Sequence, residues 1–203
     1  MKKHPAIAVV EFSDIPVGMH ATDAMLKRAP IAFVKCGTIS RGRYLTVIGG
    51  RPAPVEEALS EGQRCGGAGV LDHLLLADVH PQVFDAILGQ RKVGGRGALA
   101  IVETDTVASN VRAAELALKG TAVDLMEIRL ADNGLSGKGV SLYQGDLHDI
   151  EAAMAIVVDF LRAGRVGARH RVIPSPHEAL TRQVEISTYF GASRLLELDG
   201  EDF

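Results

Sequence analysis

Apolar and polar positions alternate along this chain with two different periods. The runs "AIAVVEF" from Ala6 and "ALAIVET" from Ala98 are short, apolar and rich in β-branched residues, which predicts central strands. Ile150, Ala153, Met154, Val157, Val158 and Leu161 recur at i, i+3, i+4, i+7, i+8 and i+11, the spacing of one helix face. Val55, Ala58, Leu59 and Gly62 repeat that spacing earlier. Helices are also predicted over Pro16–Arg28, where a proline suits the first turn, and over Ala108–Lys119. "IAFVKCGTI" with "RYLTVIGG", and "VDLMEIRLA" with "GVSLYQG", read as strand-loop-strand elements. "VLDHLLLA" and "RHRVIP" read as strands, each followed by a short helix, "HPQVFDAIL" or "PHEALTRQV".

These elements come twice. Ala6, Ala8, Val10, Glu11, Ala21, Leu26 and Lys27 meet identical residues at Ala98, Ala100, Val102, Glu103, Ala113, Leu118 and Lys119, an ungapped offset of 92. Three extra residues then enter the second half, after which Gly42 matches Gly137, Arg43 matches Lys138, Gly50 matches Gly145 and Glu56 matches Glu151. Further on, His80 stands against His177. A unit of about 90 residues has been duplicated in tandem. The first domain covers residues 1–91 and the second 98–184. A linker at 92–97 lies within the glycine-rich, basic stretch "GQRKVGGRG". Residues 185–203 form an extension with no assigned role, in which "RLLEL" reads as an added strand or helix. Each unit has the order β-α-β-β-α-β with a terminal helix, an α/β (α+β) arrangement with helices packed on one sheet.

Composition narrows the function classes. Aromatic residues make up only 4% of 203 residues, with no Trp, so small apolar residues carry the core and suit closely packed layers. A net charge of -3 without any lysine or arginine run argues against nucleic acid or an anionic membrane as partner. No apolar run approaches the roughly 20 residues that span a bilayer, and Glu11 interrupts the leading run before a signal-peptide core forms. A cytoplasmic protein is expected. Cys36 and Cys65 give neither a disulfide framework nor a zinc pattern, and are expected as buried, reduced thiols. The chain has no defensible Ser/His/Asp or Cys/His set and no Walker or Rossmann glycine pattern. Catalysis is therefore not expected.

The order of elements, with the words it contains, resembles the bacterial microcompartment shell domain. The matching features are the opening "AIAVVE", the helix ending "DAMLK", the glycine-bearing loop, the turn at Gly145 and Asp146, and "VIPSPH" from Val172. Two copies in one chain resemble the tandem shell-protein class, and the likeness runs from residue 5 to about residue 184. In that family such proteins assemble as homotrimers imitating hexamers. The resemblance thus implies a structural shell protein in the bacterial cytoplasm, with itself, other shell proteins and small metabolites in transit as partners.

Within the family, "GMHATDAMLKRAP", "TISRGRYLTVIGG" and "LADVHPQVFDAI" are most similar to the propanediol-utilisation type, which holds a 4Fe-4S cluster on its threefold axis. There the first-half loop supplies one cysteine per subunit, at the position of Ser40 here. A serine hydroxyl is a harder, poorly ionised substitute for a thiolate, and Cys36 lies four residues earlier in a predicted strand. No metal and no cofactor are expected. An electron-transfer protein with an axial 4Fe-4S cluster is the alternative, and a trimeric small-ligand sensor or enzyme gripping phosphate with its Arg-Gly loops is the second.

Under the resemblance, the loops "TISRGR" and "GLSGKG" meet at the trimer axis, where each residue appears three times. Ser40, Arg41, Gly42, Leu135, Ser136 and Gly137 are expected to line a pore, with Arg43 and Lys138 as further charges drawing anions. Read without it, the same residues are solvated hairpin loops. Lys27 and Lys119 end equivalent helices, where a cation is favourable to the dipole. The resemblance places both lysines at the edge of a shell lattice; His80 and His177, which precede or open short helices, are expected as caps or as edge contacts. Ser175 stands where many shell proteins carry an arginine used in edge packing, so lateral association is expected to differ there.

Overall fold

The computed structural model describes residues 6–198 and Gly200. In the first half, β1 (Ala6–Phe12) pairs antiparallel with both β3 (Arg43–Gly50) and β4 (Val70–Leu76), and β2 (Phe33–Ile39) adds outside β3. In the second, β5 (Ala98–Thr104) lies between β7 (Gly139–Gly145) and β8 (Ala168–Ile173), with β6 (Asp124–Leu130) outside β7. The strand orders β2-β3-β1-β4 and β6-β7-β5-β8 are the same order twice.

The helices repeat as well. α1 (Ile15–Arg28), α2 (Pro52–Gly66) and α3 (Pro81–Ile87) correspond to α4 (Val107–Gly120), α5 (Leu147–Ala163) and α6 (Glu178–Ile186). α1 begins one residue before Pro16 because the Asp14 side chain accepts a hydrogen bond from the Val17 amide and caps the helix.

Burial on both faces explains the apolar run from Ala6 to Val10 in β1. Ala6, Ala8, Val10 and Phe12 pack towards α1 and α2, while Ile7 and Val9 join a second cluster that continues into the other domain. α4 stands between the two sheets. It packs with α5 on β5 and β7 and, on its other side, against β1 and β4 of the first domain. Ten of its fourteen residues are buried, against four of fourteen in α1, so the equivalent helices differ in what covers them.

Two expectations need correction. Cys36 is exposed, because β2 is an edge strand with three consecutive exposed residues from Val34 to Cys36; Cys65 is half-buried. In the extension, α6 runs on to Ile186 and a short turn follows at Phe190–Ala192, but "RLLEL" forms neither strand nor helix. The linker is held rather than loose. Lys92 donates its amide to Met126 O at 2.9 Å and its ammonium pairs with Asp124 at 2.6 Å.

Candidate functional site

The loop of the first domain is the turn Ser40–Gly42 between β2 and β3, and that of the second spans residues 131–138 between β6 and β7. Both contain two consecutive residues in the left-handed region: Arg41 and Gly42 at φ 68° and 69°, Ser136 and Gly137 at φ 51° and 85°. The backbone of the turn therefore repeats, although the side chains and the loop length do not. Left-handed backbone is strained for a residue with a Cβ, and Arg41 and Ser136 both adopt it.

The two loops are bonded to each other. Ser40 donates its amide to Ala131 O at 2.8 Å and its hydroxyl to the same oxygen at 2.7 Å, and Ser40 Oγ accepts from the Gly137 amide at 2.8 Å. Arg43 Nη1 donates to Gly137 O at 2.9 Å, to Asp105 O at 3.1 Å and to Glu11 Oε1 at 2.6 Å. Burial pushes the Glu11 carboxyl up from the usual carboxylate range, against the pull of the Val107 amide and the Arg43 guanidinium.

These contacts divide the eight predicted loop residues. Arg41, Gly42 and Ser136 are exposed and Leu135 half-buried. Ser40 and Gly137 are engaged in holding the loops together, and Gly137 is buried beneath the Arg43 guanidinium, which leaves no room for a Cβ. Arg43, expected as a further pore charge, is instead turned inward. Its side chain is 11% exposed and its cation is neutralised by Glu11. Lys138 is half-buried on Glu103 at 2.7 Å.

The loops sit at one end of a longer junction in which the first domain caps a helix of the second. Thr106, before α4, makes no capping bond to its own helix. Glu11 Oε2 accepts from the Val107 amide at 2.7 Å instead, and Asp72 Oδ2 accepts from the Ser109 amide at 3.0 Å, from Ser109 Oγ at 2.6 Å and from Thr106 Oγ1 at 2.5 Å. Carboxylates are favoured there because the first amides of a helix lack partners and carry the positive end of its dipole. Sequence reasoning missed Asp72, Thr106 and Ser109. Their only signal was that Asp14, a strong cap, is replaced by a weaker one at the equivalent Thr106.

At the far end of α4 lie two of the four predicted edge residues. Buried Glu115 accepts from the His80 amide at 2.9 Å and pairs with Lys119 at 2.6 Å, and Lys119 donates to Asp78 O at 2.6 Å. Lys119 and His80 thus join the two domains. Their counterparts are exposed or make local bonds: Lys27 pairs with Asp23 at 2.5 Å, and His177 Nδ1 accepts from the Ala179 amide at 3.2 Å to cap α6. Asp146, His148 and Asp149 also come together around the start of α5, where acidic groups are favoured by the helix end alone.

Two sheets of identical order, joined by a helix that one domain supplies and the other caps, define a tandem-duplicated building unit. The family description of the BMC domain matches residues 6–79 and again 98–176. The chain belongs to this family, the shell proteins of bacterial microcompartments, as a member of its tandem-domain class. It is 36% identical over 181 residues to the bacterial microcompartment shell protein PduT of Citrobacter freundii, covering 88% of this chain and 97% of that one. A microcompartments protein from Desulfitobacterium hafniense DCB has the same fold with a TM-score of 0.76 at 35% identity, over 88% of this chain and 98% of that one. The carboxysome assembly protein CcmO of Synechocystis is 25% identical over 201 residues, covering 91% of this chain and 66% of CcmO.

Proposed function

We propose that the chain is a tile of a bacterial microcompartment shell, in which three copies close head to tail into a ring of six domains. The paired loops would then surround a central opening that passes small anionic metabolites. One observation carries the reading: the junction between the domains is half of a pair, and its other half is bare. Val111 and Leu118 on α4 are 0% and 6% exposed, whereas Met19 and Leu26 at the same places on α1 are 55% and 44% exposed. β8 is exposed from Ala168 to Arg171, where the equivalent β4 is partly covered by α4. One molecule thus offers an uncovered helix and an uncovered sheet edge that match each other rather than themselves. Such a heterologous pair closes into a ring when its rotation allows.

The fit of a resident iron-sulfur cluster is poor. Ser40 Oγ, at the place of the family's ligand cysteine, is a hard oxygen already engaged by Ala131 O and the Gly137 amide. A metal-free opening edged by Arg41 and Ser136 accounts better for these donors, and makes the protein a building block rather than a catalyst. Among the described residues no helix is long and apolar enough to cross a membrane, which suits a shell assembled in the bacterial cytoplasm with other shell proteins.

Sedimentation velocity at micromolar concentration tests the ring: a trimer is expected, with flat sheets on concentration, and a monomer across several salt conditions would overturn it. For the opening, efflux of a small anion from reassembled shells is expected to fall in Arg41→Glu. Equal efflux from both would remove the arginine from the pathway.

A further inference from the structure

We propose that the surface on which the next copy docks is a charge-inverted version of the domain junction, with Arg169 of one protomer bound to Asp14 of its neighbour. The proposal rests on the ring reading above and specifies its contact. Register fixes the strand-side equivalence without appeal to sequence alignment. On β1, Glu11 pairs with Asp72 of β4, and on β5, Glu103 pairs with Arg169 of β8. Arg169 therefore occupies in the second domain the place that Asp72 occupies in the first. On the helix side, the offset of 92 makes Asp14 the counterpart of Thr106 and Val17 that of Ser109.

Both sides of the contact have changed together. Within the chain, an anionic Asp72 receives two hydroxyls and an amide from a helix start whose cap position holds Thr106 rather than an acid. Between chains, the helix start carries Asp14, which already accepts from the Val17 amide and from the Ser13 hydroxyl, and Val17 has no hydroxyl to offer. A second carboxylate at the place of Asp72 would meet repulsion from Asp14, and the Val17 amide that would donate to it is already taken. An arginine meets a carboxylate with free acceptor capacity instead. Arg169 is available for this role, with a side chain 81% exposed and only a 3.5 Å approach to Glu103.

The remaining groups of the junction have counterparts that fit the same docking. Glu103 replaces Glu11 and would accept from the Ile15 amide of the neighbour, as Glu11 accepts from Val107. Lys138 replaces Arg43 beside it. The inversion also gives selectivity. Two carboxylates, Asp72 and Asp14, oppose each other if the first domain's sheet edge meets α1, so the tethered junction and the docking surface do not exchange partners.

The test uses the full chain and follows the trimer against dilution at low ionic strength by sedimentation or mass photometry. Arg169→Asp faces Asp14 with a like charge and is expected to raise the concentration of half-dissociation by roughly tenfold or more. The triple variant Arg169→Asp, Asp14→Thr, Val17→Ser rewrites the contact in the chemistry of the domain junction and is expected to restore association. Asp14→Asn, which keeps a capping side chain, is expected to weaken the trimer and reduce its salt dependence. Circular dichroism of each variant monitors folding of the monomer. A wild-type monomer sinks the ring reading itself. A wild-type trimer unaffected by Arg169→Asp, or weakened by it without rescue in the triple variant, overturns this pairing and leaves the ring standing.

Discussion

Gly18 on α1 lies directly over the Tyr44 ring of β3, so close that a Cβ at Gly18 would stand 2.5 Å from Tyr44 Cβ. In the second domain the sizes are exchanged: Asn110 occupies the helix position, and Gly139 the strand position beneath it, where a Cβ would meet Asn110 Cβ at 2.6 Å. The same helix-to-sheet spacing is kept by opposite choices of the small residue.

Gly18→Ala is expected to destabilise the fold by about 1–3 kcal/mol, since overpacking outweighs the roughly 1 kcal/mol that alanine gains in helix propensity. Gly62→Ala meets the Met25 thioether at 2.5 Å instead, a flexible chain end that can move aside. Thermal melts should rank Gly18→Ala well below Gly62→Ala; equal losses would refute the packing argument.

Removing Glu11 strands Arg43 in a site where its side chain is 11% exposed. Glu11→Ala is therefore expected to cost about 3–5 kcal/mol, the range for breaking a buried pair, and Glu11→Gln less, because the amide oxygen still accepts from Val107. The pH dependence has a definite sign. Burial raises the folded-state pKa of Glu11, so its contribution is full below the unfolded value of about 4 and declines as pH rises through the folded value. Urea denaturation should show wild type losing ground to Glu11→Gln from about pH 4 upwards; the opposite trend would reverse the assignment.

Ser40→Ala removes one donor and one acceptor from the bridge between the loops, and is expected to cost about 1 kcal/mol. Hydrogen exchange gives the sharper reading, because the Gly137 amide loses its acceptor. Its protection should fall while that of Ser40, bonded to Ala131 O through its own amide, persists. Ser40→Cys is expected to take up iron and sulfide and turn brown, with wild type staying colourless; a coloured wild type would restore the cluster alternative.

Tyr44 is held in its neutral form. A hydrogen bond with Cys36, added to by burial, pushes its pKa up to about 12. The stabilisation this gives is present below about pH 10, the unfolded value, and is lost as pH rises through about 12. Ultraviolet titration of Cys36→Ala should show this phenol ionising earlier than in wild type; an unchanged curve would remove Cys36 from the account.

The duplication, the succession of elements along the chain and the two loops were legible because each leaves a local mark: a period, a turn, a repeated word. Glu11 and Glu103 were visible as a repeated residue, yet nothing nearby revealed that one is sealed by α4 and the other faces outward. The contacts of Asp72 with Thr106 and Ser109 cross between domains and leave no periodicity. Cys36 was misjudged for a related reason. An apolar strand predicts burial only when another layer lies over it, and β2 stands at the edge of its sheet, where Val34, Lys35 and Cys36 are exposed on both faces. Arg43 looked like a loop charge because its partner, Glu11, is 32 residues away at the end of another strand.

The shared left-handed pair in the two loops has a consequence for the shape of the proposed opening. Six turns of one backbone form would give its rim a sixfold outline, but the side chains alternate, Arg41 in one turn and Ser136 in the next. A tile made of one repeated domain must place the same side chain at all six corners. Fusing two copies frees each corner to mutate separately, so that three corners can attract an ion while three let it slide past.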